Sequence, residues 1–149
     1  MSTAYLALFA FIAGAAIAIQ SGINAQLGEF LKSPLIATTI AFSSSLFFTL
    51  IAVITLSKEY PDIAIIKAVP TYLWFSGGVL SAFAISMFYY IIPQVGIGTM
   101  MSYALTGQII MAMIAGHFGW FDLPIEHINA SKFSGALALV VGIVLINKG

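Results

Sequence analysis

Apolar residues run along the chain in five long blocks separated by short polar punctuation, and each block predicts a helix. The blocks cover residues 3–31, 34–56, 71–92, 97–118 and 130–147. All approach or exceed the roughly 20 apolar residues that a membrane-crossing helix needs. The first stop is Lys32-Ser33-Pro34, in which Ser33 reads as an N-cap and Pro34 as the first residue of the next helix. Ser57-Lys58-Glu59 closes the second block. Residues 60–68 carry Asp62 and Lys67 among Ile63, Ile65 and Ile66, too short a stretch to span, so a loop or short helix in the interface is expected. Pro70 opens the third block, with Trp74 near its start, and Pro93-Gln94-Val95-Gly96 predicts an uncharged turn before the fourth. A loop over 119–128 holds Asp122, Pro124, Glu126 and His127. Asn129 then reads as the N-cap of the last helix rather than as a glycosylation acceptor, although Asn129-Ala130-Ser131 fits that pattern.

Composition places these helices in lipid. Of 149 residues 61% are hydrophobic and 7% charged, with a mean hydropathy of +1.08, against roughly a quarter charged in soluble domains. Fold class is therefore all-α integral membrane, with five transmembrane helices forming a single membrane domain over 1–149. Five basic and five acidic residues cancel, which leaves no basic surface for nucleic acid. The absence of cysteine removes disulfides and thiolate chemistry. No cationic segment precedes the first apolar block, so it is expected to be a retained helix rather than a cleaved signal. With five spans, Lys58, Lys67 and Lys132 share the side of the N-terminus, and Lys32 and Lys148 lie opposite. Three against two puts the N-terminus on the cytoplasmic side by a single lysine. Such a balance fits insertion in both orientations, and an antiparallel pair would supply the inverted repeat of many secondary transporters.

Small residues recur at every fourth position: Ala10, Gly14, Ala18 and Gly22 in the first helix; Gly78, Ala82 and Ser86 in the third; Ala104, Ala112 and Gly116 in the fourth, where Gln108 interrupts the stripe; Ser134, Ala138 and Gly142 in the fifth. These are expected to be packing seams. Polar groups within spans are costly and turn toward a bundle interior or a cavity. Gln108 is placed mid-helix, while Gln20 and Asn24 lie one turn apart on a common face. All three are expected to face inward, either bonding helices together or lining a solute cavity. Tyr103 and Thr106 sit within two turns of Gln108, and Phe83, Tyr89, Tyr90 and Trp74 could add aromatic walls. His117 is the side chain suited to carrying a coupled proton near neutral pH, and Glu29 is the one carboxylate inside a predicted helix. His117, Asp122, Glu126 and His127 match no metal-ligand spacing. No phosphate-cradling loop, HExxH pair or membrane carboxylate dyad supports an enzyme, and no cofactor is implied.

The order Gln20-Ser21-Gly22-Ile23-Asn24-Ala25-Gln26-Leu27-Gly28, then Ser33-Pro34, Gly77-Gly78, Pro93 and Gly96, Gly107-Gln108 and His117-Phe118-Gly119 resembles the YdcZ-like small inner-membrane proteins of the drug/metabolite transporter superfamily. The resemblance runs from about Gln20 to the C-terminus. It implies a five-helix half-transporter of the bacterial inner (plasma) membrane that pairs with itself or with a sister protein and moves a small organic solute. Gln20, Asn24, Tyr103, Thr106 and Gln108 would then contact solute, and His117 or Glu29 would carry protons. The chain departs from the family pattern at Gly116, where relatives often carry Asp, and at Ser43-Ser44-Ser45, where they often carry Gly. The first departure removes the most natural proton-carrying carboxylate. The competing expectation is a noncatalytic subunit packing against a larger membrane protein.

Overall fold

The structure, a computed structural model, describes residues 3–122 and 124–148. Six α-helices follow one another: α1 (Thr3–Phe30), α2 (Pro34–Leu56), α3 (Ile63–Ala68), α4 (Thr71–Val95), α5 (Ile97–Phe118) and α6 (Ala130–Ile146). Among the described residues there is no strand. Helices α1, α2, α4 and α5 are long and apolar enough to cross a membrane, and α6 is a shorter apolar helix of 17 residues. At 1.5 Å per residue, α6 is about 25 Å long, near the lower limit for a span. The chain divides into two compact units, Met1–Gln94 and Val95–Gly149.

Local chemistry explains the helix ends. Lys32 adopts the left-handed conformation at φ 52°, which lets its N–H reach Glu29 O at 3.1 Å and the Ser33 N–H reach Gly28 O at 3.0 Å. Those two bonds form a Schellman motif that satisfies the last carbonyls of α1. Ser33 at once caps α2, its Oγ accepting the Ile36 N–H at 3.3 Å ahead of Pro34. Asn129 caps α6 in the same way, accepting the Lys132 N–H at 2.8 Å. The interfacial stretch folds as α3.

One boundary differs from expectation by more than a residue. The third membrane helix does not stop at residue 92 but continues through Pro93 to Val95. Proline in a last turn forfeits one backbone bond without breaking the preceding turns, and Gln94 Nε2 donates to Tyr90 O at 2.8 Å across that turn. The break falls at Gly96, whose φ of 85° favours glycine.

The seams differ as well. Helices α1 and α2 pack together, and their buried residues are Ser21, Ala25 and Gly28 on α1 and Ala37, Thr38 and Ala41 on α2. A Cβ added at Gly28 would lie 3.5 Å from both Ala37 Cβ and Pro34 Cα, so the two backbones approach about as closely as a methyl group permits. The Ala10-Gly14-Ala18-Gly22 stripe is not this contact: Cβ atoms built at Gly14, Gly77, Gly78, Gly107 and Gly142 would meet open space. Ser21 is one residue, or about 100°, around α1 from Gly22. The packed face is therefore the neighbour of the expected one.

Candidate functional site

In residues 1–94 the buried positions gather at one end: the last third of α1, the first third of α2 and the last third of α4, which contributes Ser86, Tyr89 and Ile92. Two polar groups hold these helices together. In the first, Asn24 Nδ2 donates to Gln20 Oε1 at 2.9 Å and to Tyr89 Oη at 3.0 Å, and the Tyr89 hydroxyl donates to Gln20 Oε1 at 3.2 Å. This triangle spends both Asn24 N–H groups and the Tyr89 proton; Gln20 Nε2 also donates to Ser21 Oγ at 3.4 Å, leaving Asn24 Oδ1 and one Gln20 N–H as its spare capacity. Gln20 lies nine residues before Glu29, about 14 Å along the helix axis. With Glu29 at the interface, Gln20 would reach about half-way into a hydrocarbon layer about 30 Å thick, and Asn24, about 8 Å from Glu29, would lie nearer its surface.

The second group lies beside it. Ser86 Oγ donates to Thr38 Oγ1 at 3.1 Å, and Thr38 Oγ1 donates to Pro34 O at 2.9 Å. Ser86 is three residues from Tyr89 and shares its helix face. Thr38 and Ser86 also line an open-sided crevice of about 330 Å³ between α2 and α4, walled by Leu35, Phe42, Phe83 and Met87.

The structure thus brings Gln20 and Asn24 together and adds Tyr89, which sequence reasoning had named only as an aromatic wall. Its ring is 1% exposed and bridges helices 65 residues apart in sequence. Ser86 stands on the small-residue stripe expected to pack, and it is buried, but its bond to Thr38 was not anticipated. Ser21 and Thr38 were missed as polar core residues; the signal for Ser21 was its place inside the Gln20–Gly28 string, and Thr38 had none, for small hydroxyl residues are common in membrane helices. Phe83, Tyr90 and Trp74 are exposed.

The remaining candidates lie in residues 95–149. Tyr103 and Gln108 are on exposed faces of α5, so within this unit Gln108 is not turned inward. Thr106 is half-buried, and its hydroxyl donates to Ser102 O at 2.9 Å, the backbone bond usual for membrane threonines. A polar contact not anticipated joins α6 to α5: Asn147 Nδ2 donates to Ser102 Oγ at 2.8 Å. Glu29, in the other unit, is exposed at the end of α1.

His117 sits in the last turn of α5, where Gly119 closes the helix at φ 63°. The following loop folds back over that end: Glu126 N–H donates to Gly116 O at 2.8 Å, and Ile128 N–H donates to His117 Nδ1 at 3.2 Å. Accepting that bond requires an unprotonated Nδ1. The His127 ring meets the His117 ring edge-on at 5.5 Å. Lys132 Nζ pairs with Glu126 at 2.8 Å, and this hydrogen bond, then its charge, holds the Glu126 carboxyl below the usual glutamate range. Among the described residues no three His, Asp or Glu side chains converge as a metal site would require.

Five apolar helices with amides in the spans describe a membrane protein with polar contacts inside it, and the comparison with known families gives that description a role. The family described as "Putative inner membrane exporter, YdcZ" matches residues 5–145. The chain belongs to this YdcZ family. It is accordingly a multi-pass protein of the inner membrane with a role in membrane transport. No curated protein and no solved structure matches the YdcZ chain at a significant level.

Proposed function

We propose that this chain is half of a small secondary transporter of the drug/metabolite type, moving a small organic solute as an antiparallel pair with a second copy or with a sister protein. The observation that carries the reading is the Gln20–Asn24–Tyr89 triangle. A polar cluster between helices within the membrane is where a transporter can hold its solute and where apolar packing alone has no need of amides. In this reading Gln20 and Asn24 contact solute from α1. Tyr103, Thr106 and Gln108 supply contacts from α5, the exposed Gln108 amide facing the solute path or the paired half. His117 or Glu29 carries the coupled proton.

The test is an unbiased solute screen in proteoliposomes, followed by variants. Gln20→Leu and Asn24→Leu should abolish uptake of the solute found, and Gln108→Leu should lose its binding while leaving a folded protein. The double variant His117→Gln with Glu29→Gln should abolish uptake driven by a pH gradient and leave solute exchange intact. Full activity in all of these variants would remove the site. A second reading, a noncatalytic packing subunit, is favoured by the self-satisfied bonds of the triangle and by the open glycine faces of α1 and α4. It requires co-purification with a larger membrane protein and no solute flux by the chain itself.

A further inference from the structure

The crevice between α2 and α4 has a chemistry that defines what it would hold, and we propose that it is a binding site for a neutral amphipathic molecule carrying a hydrogen-bond donor on an apolar, preferably aromatic, body. The proposal rests on the transport reading for its biological use, but the site stands on its own geometry. Its volume of about 330 Å³ falls at the lower end of small-molecule pockets.

The floor is the Thr38–Ser86 pair, whose residues are 4% and 5% exposed. Their protons are already committed, Thr38 to Pro34 O and Ser86 to Thr38 Oγ1. What remains at Ser86 Oγ is lone pairs, and no donor reaches that oxygen among the described residues. The floor therefore accepts hydrogen bonds and offers none. A solute seated there must bring an N–H or O–H.

The walls decide the rest. Leu35, Phe42, Ala82, Phe83 and Met87 are apolar, two of them aromatic rings and one a polarisable thioether that suits aromatic partners. The remaining lining residue, Thr39, has its proton committed to Leu35 O at 3.0 Å and likewise offers no donor. No lining residue carries a charge. An ion placed there would lose its hydration without gaining a counter-charge, a penalty far larger than one hydrogen bond returns. Anions, carboxylates and quaternary or protonated amines are excluded on that ground. A lipid acyl chain would fit the walls but leave the floor oxygen unpaired, and such unmade bonds are what polar sites use to reject near-isosteres.

The test measures binding without requiring transport. Fluorine NMR of the full-length protein in lipid nanodiscs, with empty nanodiscs as reference, is titrated with para-trifluoromethylphenol, its methyl ether and para-trifluoromethylbenzylammonium. Saturable binding of the phenol is expected, with the ether about tenfold weaker, as the loss of one well-placed hydrogen bond implies, and the ammonium ion not saturating. Ser86→Ala combined with Thr38→Val, which removes both floor oxygens, should bring the phenol down toward the affinity of the ether and leave the ether unchanged. Phe83→Ala, on an exposed wall, should weaken both alike. Equal binding of phenol and ether would make the crevice a lipid groove and overturn the proposal. So would stronger binding of the ammonium ion, or phenol affinity indifferent to Ser86→Ala with Thr38→Val in a variant whose melting temperature matches wild type. Solute counterflow in proteoliposomes separates the two ideas. Phenol bound by the crevice with no solute carried by the protein refutes transport and keeps the site; flux of other solutes with no phenol binding refutes the site and keeps transport.

Discussion

Replacing Tyr89 by Phe deletes one oxygen from the centre of residues 1–94 and keeps the ring that fills it. Two bonds go with that oxygen, the donation to Gln20 Oε1 at 3.2 Å and the acceptance from Asn24 Nδ2 at 3.0 Å. Interhelical hydrogen bonds in membranes average about 0.6 kcal/mol and reach about 1.7. Tyr89→Phe should therefore destabilise the protein by about 1.2 kcal/mol, roughly an eightfold shift in the unfolding equilibrium. Gln20 Oε1 keeps its bond from Asn24 at 2.9 Å, which holds the loss to the lower part of that range. Tyr89→Ala removes a ring that is 1% exposed, and should cost about 3–5 kcal/mol through the cavity it leaves. Reversible unfolding in mixed detergent micelles, read by circular dichroism, gives the free energies. A double-mutant cycle of Tyr89→Phe with Asn24→Val isolates the pair, with a coupling of about 0.6–1.7 kcal/mol expected. A single-variant change below about 0.3 kcal/mol together with zero coupling would show that the triangle holds nothing together, and the reasoning would fail.

Three further outcomes are expected. Gly96→Ala meets open space but is strained at φ 85°, so it should cost about 1–3 kcal/mol, measured in the same unfolding assay; Gly98→Ala, also in open space within α5, should be neutral or stabilising. Because Lys132 lowers the Glu126 pKa, their contact is fully present above the ordinary glutamate range and is lost as pH falls through the lowered value. Acidification should accordingly lower the hydrogen-exchange protection of the Glu126 amide, taken relative to the intrinsic rate at each pH, and Lys132→Gln should return the Glu126 titration, followed by carboxyl NMR, to the usual range. Reporter fusions at the C-terminus should register on both sides of the membrane, or flip when one or two lysines are moved; a single orientation that survives loss of Lys58 and Lys67 would leave pairing with a sister protein as the route to a complete transporter.

The places where helices begin and end were legible from sequence because each is settled by a few adjacent residues. Ser33-Pro34 caps α2 and Asn129 caps α6 whatever the rest of the chain does, and α5 spans the expected 97–118. Even the end misplaced furthest, at Pro93, was missed by a single turn, because a last-turn proline costs little when a glycine three residues later supplies the actual break. The membrane character and the family's string of residues were equally local, and so was the pairing of Gln20 with Asn24 on one face.

Which face of each helix packs was decided only in three dimensions. In a soluble protein the polar side of a helix faces water and so reveals the buried side; in α1, α2 and α4 nearly every face is apolar, and periodicity carries no such contrast. Spacing alone therefore could not choose between Gly22 and its neighbour Ser21, and the choice fell to the fit of Ser21, Ala25 and Gly28 against Ala37 and Ala41. Tyr89 joined Gln20 and Asn24 for a related reason: a phenol hydroxyl in lipid must find a partner, and its partner stands 65 residues away on a helix that only the tertiary packing of α1, α2 and α4 brings within 3.0 Å.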